Sequence, residues 1–462
     1  MRNSAGRRFV SKIVITTAVF LASCTTTNLP SKAELENLAI AGDPQSQFDL
    51  ANALEKGIDL PKDPEQALIW YRKAAGNGHA NAQAVYGAKQ LAGKGLPKST
   101  SEGLKWIQKS ADQNFPKAVA ALGHMYANGL GLPQSDIEAV KLYRKAAEQG
   151  NVSGQRFLGV MYREGRGVPQ SDVESVKWYR KAAEQDDRRA QSKLGQIYRT
   201  GRGVPQNYET AAKWLRKAAE KGDRIAQSRL GILYKEGQGV PQSYEAAANW
   251  FRKAANQDDA FAQANLGYFY DKGRGVPQSD TEAAYWYKIA AENGDTTAQT
   301  NLGLLYRGGL GVDQSFEDAF TTFTKAAEAG NITAKRLLAS HYQWGLGTPK
   351  NKQKAIKWYR EAANDGDAKA QNKLAILYQR LIFSSKQEDR TPEQYEAPLF
   401  WFHKAAEQGS GESQFNLWYI YSKHYKGYPV EKDMEKAIYW LRKAAEQNYF
   451  TSRKILEKLP DA

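Results

Sequence analysis

The sequence predicts an all-α fold, a solenoid of about eleven stacked helix–turn–helix repeats. Three observations predict it. The lysine of Lys-Ala-Ala, or its equivalent, recurs at Lys73, Lys109, Lys145, Lys181, Lys217, Lys253, Ile289, Lys325, Glu361, Lys404 and Lys443, in eight consecutive steps of 36 residues followed by steps of 43 and 39. A regular period of about 20 to 50 residues marks supersecondary units that bury their apolar faces only against their neighbours. Within one period, Arg199 to Gly222 for example, apolar residues fall at helical spacing. Glycine and proline then punctuate the helices at fixed places.

At the amino terminus, Arg2, Arg7, Arg8 and Lys12 precede a short apolar run from Ile13 to Leu21. That run falls well short of the ~20 residues of a membrane-spanning helix, so 1–23 is expected to be a signal peptide. Leu21-Ala22-Ser23-Cys24 places the chain's single cysteine at the end of this segment. The tetrapeptide resembles the lipobox of bacterial lipoproteins. The resemblance implies cleavage before Cys24 and lipidation of its sulfur and new amino group, with several acyl chains because one alone anchors weakly. Thr25 follows where an aspartate would imply inner-membrane retention, so the resemblance implies the outer membrane, facing the periplasm. One cysteine permits no intrachain disulfide and no cysteine metal cluster.

Residues 24–33 read as a lipidated polar tether and 34–42 as a half-repeat, a lone second helix covering the end of the stack. Eleven repeats then occupy 43–449. In each, the first helix carries one apolar face, as in Ala190, Leu194, Ile197 and Tyr198. Gly201 and Gly203 are placed to end it in a left-handed conformation, and Pro205 to prevent its resumption. The second helix begins near Tyr208-Glu209. Nine of the eleven tryptophans stand at the Trp214 position, where each is expected to fill the gap between units. Paired alanines such as Ala218-Ala219 allow neighbouring helices to approach closely.

The pattern Ala-x-x-x-Leu-Gly-x-x-Tyr, Gly-x-Gly-Val-Pro, Ala-x-x-Trp-Tyr-x-Lys-Ala-Ala resembles the Sel1-like repeat (SLR), a relative of the tetratricopeptide repeat with a longer loop between its helices. The resemblance covers about residues 43 to 450. It implies an α/α right-handed superhelix with first helices lining a concave side. Departures cluster late: an enlarged loop at 381–398, Trp418 in place of the small residue equivalent to Gly195, and a loop before Met434 with three extra residues. Residues 450–462 are expected to form a capping helix.

The aromatic fraction is 11% and the hydrophobic fraction 41%, ample for a packed core. Net charge is +15, or +11 without the four positive residues of the signal peptide. A basic balance spread along an extended array favours acidic partners. Basic residues recur with the repeat and form no dense patch, which sets nucleic acid aside. Gly-x-Gly occurs in eight repeats but without the strand and the Gly-Lys-Ser/Thr before a helix that a phosphate-binding loop needs, so helix termination is the reading, not phosphate binding. His79, His124, His341, His403 and His424 lack ligand spacing, so no metal or cofactor is expected.

Some cysteine-rich relatives in the family are assigned β-lactamase or penicillin-binding activity. Their cysteine pairs are absent here, as are Ser-x-x-Lys and Lys-Thr-Gly, so the chain is not expected to be an enzyme. The expected function is a non-catalytic scaffold, lipid-anchored in the bacterial envelope, that holds acidic or extended protein partners. Peptidoglycan or an anionic exopolysaccharide is the alternative ligand. Mapped on the tetratricopeptide-like pattern, the inward positions include Arg156, Arg163, Arg189, Arg199, Lys235, Lys272, Arg307 and Arg336. The aromatics Phe261, Tyr268, Trp344, Phe415 and Tyr419 occupy similar positions. Arginine and aromatic residues are the types that dominate binding hot spots.

Overall fold

The structure is a computed structural model that describes residues 31–384, 392–423, 431–447 and 449–457. The expected signal peptide, Cys24, His424, most of the expected tether, and parts of the 381–398 segment and of the expected capping helix 450–462 lie outside them. The described residues form 24 α-helices and no strand, an all-α repeat solenoid.

The chain divides at Asp223/Arg224 into two compact units. The first opens with the short helix Lys32–Ile40 and continues through five helical hairpins: Pro44–Lys56 with Pro64–Gly76, Ala80–Ala92 with Thr100–Asp112, Pro116–Asn128 with Asp136–Glu148, Val152–Glu164 with Asp172–Glu184, and Arg188–Thr200 with Tyr208–Glu220. The second unit holds six hairpins, from Arg224–Glu236 with Tyr244–Ala255 to Gly411–Lys423 with Met434–Glu446, then the short helix Phe450–Leu456.

Local chemistry fixes where each helix starts and stops. Ser135 and Ser171 cap second helices by accepting from the backbone N–H of Glu138 and Glu174 at 3.3 and 3.2 Å. Asp187 does the same for a first helix, accepting from Ala190 N at 2.7 Å. These caps satisfy N–H groups that have no partner within the helix. At the other end Gly201 has φ of 72°, a left-handed cap that glycine adopts without strain. A glutamine five residues after the glycine reaches back to the same turn: Gln206 Nε2 donates to Arg199 O at 2.7 Å, and Gln170 Nε2 to Arg163 O at 3.0 Å.

At Gly167, Gly203, Gly275, Gly311 and Gly347 the second glycine of Gly-x-Gly does more than terminate a helix. A Cβ on Gly203 would sit 2.6 Å from the backbone carbonyl carbon of Asp172, the first residue of the preceding repeat's second helix. This is a backbone-to-backbone contact between repeats. In the same loops Arg166 makes two hydrogen bonds to Asp136, at 3.1 and 2.6 Å, and Arg202 reaches Asp172 at 2.8 Å.

The core differs from expectation at one position. Most of the tryptophans are only half-buried, and Lys73 and Lys253 lie over the rings of Trp70 and Trp250 at 4.0 and 4.2 Å. The residue after each tryptophan is the true plug: Tyr71, Tyr179, Leu215, Phe251, Tyr287 and Phe402 are all fully buried. Helical geometry explains the exchange, because one residue is about 100° of rotation and only the later position points between the helices. Gly195 makes room for it, since a Cβ there would meet Leu215 Cγ at 2.6 Å.

A buried glutamine bolts successive repeats together. Gln83 Nε2 donates to Ala75 O at 3.1 Å while its Oε1 accepts from Gln113 Nε2 at 2.8 Å. Gln155, with Ala147 and Gln185, repeats the arrangement in the first unit, and Gln371, with Ala363 and Gln408, in the second. Gln47 donates to Ala39 O at 3.0 Å, so Lys32–Ile40 meets the first hairpin as a second-type helix does. Each bolt adds a second donor to a helix-terminal carbonyl that also accepts from the backbone of the following turn, as Ala75 O accepts from Gly78 N at 3.1 Å.

Toward the carboxyl end, Leu381 stands where Gly201 stands in its repeat, and no left-handed stop is available. The helix Ala368–Ser384 therefore runs to 17 residues, so 381–384 are helical where a loop was expected. Tyr395, in the 3-10 turn Pro392–Tyr395, is fully buried beside Phe383.

Candidate functional site

In each hairpin the first helix offers the face whose side chains change most from repeat to repeat. Packing positions hardly vary: alanine third, leucine seventh and glycine eighth recur through most first helices. The fifth position reads Phe48, Ala84, Ala120, Arg156 and Ser192 through the first unit, and the twelfth Glu55, Leu91, Ala127, Arg163 and Arg199. The second helices instead keep lysine at the Lys73 position in most repeats.

The expected site residues of the first unit lie on two neighbouring first helices. Arg156 is half-buried, 3.5 Å from Asp187 Oδ2, and its guanidinium lies 4.2 Å from the centre of the Phe157 ring. Burial is the main force pushing its pKa down, against the pull of Asp187. Asp187 caps the next first helix, so Arg156 joins two repeats. Arg163 pairs with Glu164 at 2.6 Å. Arg189 is exposed, and Arg199 is half-buried with an Nε that is sealed and finds no acceptor. The helix Arg188–Thr200 carries Arg188, Arg189, Lys193 and Arg199 with no acidic residue, which concentrates positive charge there.

In the second unit the expected residues are spread over more repeats. Arg336 repeats the Arg156 arrangement, 3.1 Å from Asp367 at the start of the next first helix. Lys235 lies 4.0 Å from Glu236 and Lys272 3.1 Å from Asp271, weak pairs in partly exposed settings. Arg307 is half-buried, and its carbonyl accepts from Gln314. Phe261 and Trp344 are exposed, whereas Tyr268 is half-buried with Arg274 5.4 Å from its ring centre. Phe415 and Tyr419 join Trp418 and Tyr449 in one aromatic cluster, Phe415 lying 4.9 Å from Trp418 and 5.2 Å from Tyr449 between ring centres.

Tyr179, Glu164, Asp187 and Tyr449 complete these groups and were not among the residues singled out in the sequence. The signal for them lies in offsets that recur with the repeat, such as the 31 residues separating Arg156 from Asp187 and Arg336 from Asp367. The described histidines take local partners. His79 caps a first helix by accepting from Ala82 N at 3.1 Å, His341 Nδ1 lies 2.9 Å from Leu346 O, and His403 Nε2 lies 3.0 Å from Tyr421 Oη. Among the described residues no group of three His, Cys, Asp or Glu is placed to hold a metal ion. A shallow surface depression of about 410 Å³ lies away from the first-helix face, around Trp106, Lys105 and Lys109 on a second helix.

The Sel1 repeat family model matches eleven consecutive segments, at 44–79, 80–115, 116–151, 152–187, 188–223, 224–259, 260–295, 296–331, 332–367, 368–410 and 421–449. Among solved structures, the chain is similar to a protective antigen present in uropathogenic Escherichia coli strains that displays an SLR fold. Identity is 34%, covering 93% of this chain and 91% of that one, with a TM-score of 0.80. A Sel1 repeat protein from Oxalobacter formigenes is 30% identical over 67% of this chain and 89% of that one, with a TM-score of 0.48. No curated protein matches the chain in sequence. The repeat-by-repeat match and the shared architecture place the chain in the Sel1 repeat family, whose members generally act as protein-interaction scaffolds.

Proposed function

We propose that the chain is a non-catalytic adaptor of the bacterial envelope, anchored through lipid on Cys24, that holds protein partners against the faces of its first helices. The observation that carries this reading is the contrast within the repeats: packing positions recur almost unchanged, while the fifth and twelfth first-helix positions, buried or half-buried, change between most neighbouring repeats. A surface that varies on a constant frame can present a different contact at each step along an extended partner. The basic helix Arg188–Thr200 favours acidic segments. The lipobox-like Leu21-Ala22-Ser23-Cys24 supports export and anchoring at the outer membrane, facing the periplasm. The relative described as a protective antigen is in keeping with an exported chain.

Protein is favoured over glycan by the placing of the aromatics. Phe261 and Tyr268 share one helix, Trp344 lies two repeats on and Phe415 and Tyr419 four repeats on, with only Tyr268 and Tyr419 at the same helical position, whereas a sugar chain calls for stacking platforms at regular intervals. Crosslinking followed by capture from envelope membranes tests the proposal. The triple variant R163E/R189E/R199E is expected to keep its helical circular dichroism and lose the partner. The variant C24A is expected to leave the membrane fraction. A triple variant that still captures the same partner removes the first-helix assignment, and C24A that stays with membranes removes the anchor.

A further inference from the structure

The tyrosines that plug the second helices send their hydroxyls toward the ninth and twelfth positions of the first helix in the same repeat. Tyr71 Oη donates to Glu55 Oε2 at 2.8 Å and lies 2.9 Å from Asn52 Oδ1. Tyr359 Oη donates to Gln343 Oε1 at 3.0 Å. In both repeats the twelfth residue is an acceptor.

The fourth repeat breaks this pairing. Tyr179 is fully buried, and its hydroxyl finds no hydrogen-bond partner. The ninth and twelfth residues of its first helix are Val160, which offers nothing, and Arg163, which can only donate. Burial pushes the phenol up to about 12, so it keeps its proton and remains a donor. Arg163, Glu164, Arg156 and Asp187 all act on it electrostatically. The Tyr287 hydroxyl also has no well-formed hydrogen bond, but Asn301 and the Asp271 carboxylate lie near it. The carboxylates near Tyr179 are each paired with an arginine, Glu164 with Arg163 at 2.6 Å and Asp187 with Arg156 at 3.5 Å.

The next repeat adds to this surplus. Arg199 occupies the twelfth position there, as Arg163 does in its own repeat, and its Nε is sealed without an acceptor. The acceptor held by Arg163 is Glu164, whose side chain is 38% exposed and also lies 3.8 Å from Arg166. A neighbouring residue on an exposed turn is readily exchanged for a carboxylate from outside.

We propose that Tyr179 and Arg163 form a carboxylate-binding site, with Arg199 on the adjacent repeat taking the next acid, and that its ligand is an acidic segment of a protein partner. This rests on the reading that first-helix faces hold partners. An entering aspartate or glutamate displaces Glu164 from Arg163, moves that side chain aside, and accepts from both the guanidinium and the phenol. A carboxylate has the lone pairs for both donors. A phosphate dianion fits less well, because Glu164 and Asp187 stay close by. First helices about 8–10 Å apart match acids roughly three residues apart in an extended chain.

The test is fluorescence anisotropy with a fluorescein-labelled octaglutamate peptide and the full chain at fixed ionic strength, with octaglutamine as control. Tyr179→Phe is expected to weaken octaglutamate binding about ten- to hundredfold, the worth of a hydrogen bond to a charged group. Its melting temperature should stay unchanged, because the hydroxyl has no partner to lose. Y71F and Y359F should do the opposite, melting earlier while binding normally. E164Q should tighten binding by removing the competing acceptor.

Octaglutamate binding that is absent, or indifferent to Y179F or E164Q, overturns the site. So does a Y179F variant that melts as early as Y71F, or inorganic phosphate that displaces the probe at lower concentration than acetate. These outcomes are separable from failure of the adaptor reading: partner capture that survives R163E/R189E/R199E defeats that reading while leaving the octaglutamate result intact.

Discussion

Replacing Phe251 with alanine is expected to cost about 3–5 kcal/mol, the range for removing a large aromatic side chain from a closed core. The ring is fully buried, stands edge-on to Phe269 at 5.6 Å between ring centres, and fills the space that Gly231 leaves open. A Cβ at Gly231 would fall 2.8 Å from the Phe251 ring, so the glycine and the plug define each other. Trp250→Ala should cost less than about 2 kcal/mol, because that side chain is half-buried and its main identified contact is the Lys253 ammonium, worth about 1 kcal/mol. Denaturant unfolding of the two variants side by side measures the difference. Equal losses would return the plug to the tryptophan position. Because repeat arrays can unfold in parts, hydrogen exchange in 224–259 and 260–295 should register the Phe251 loss first.

Gly203→Ala is the second large effect, about 2–4 kcal/mol. Its φ of 75° costs an alanine about 1–2 kcal/mol, and the new Cβ meets backbone of Asp172, which cannot turn away as a flexible side chain could. Gly201→Ala should lose mainly the conformational part, about 1–2 kcal/mol, because its added Cβ would stay 3.1 Å or more from its nearest neighbours, the side chain and backbone of Gln206. Thermal unfolding of the pair distinguishes a glycine that ends a helix from one that seats a repeat on its neighbour. If the two variants melt together, the loop glycine has no inter-repeat role.

Much of this architecture was legible because helical periodicity and turn chemistry act over short distances. The helix Arg188–Thr200, its stop at Gly201 and the start of the next helix at Tyr208 follow from apolar spacing, glycine and proline. The links between repeats were not legible in that way. Gln113 Nε2 reaches Gly78 O across 35 residues, Arg156 and Asp187 are 31 apart, and Arg180 meets Tyr198 Oη at 2.7 Å across 18. None of these offsets reflects helix geometry. They reflect the stacking distance between repeats, and they show in the sequence only as pairs that recur at a fixed offset.

The same limit applied to the first-helix face. Its basic residues were identified by register, but register does not tell an arginine held by a neighbouring carboxylate from one available to a partner. Arg156 and Arg336 are held by the aspartates that cap the following helices, while Arg189 is exposed. The plug moved by one residue for a related reason. Tryptophan and the residue after it are both apolar, and only three-dimensional packing decides which of them enters the core.

The central claim is that partners are held on the first-helix face. It is tested most directly by placing a photo-crosslinking amino acid at Arg189, on a first helix, and separately at Lys177, on an exposed second-helix position of the preceding repeat. After irradiation of intact cells, a discrete protein adduct is predicted from position 189 and none from position 177. An adduct from position 177 with none from position 189 would contradict the account.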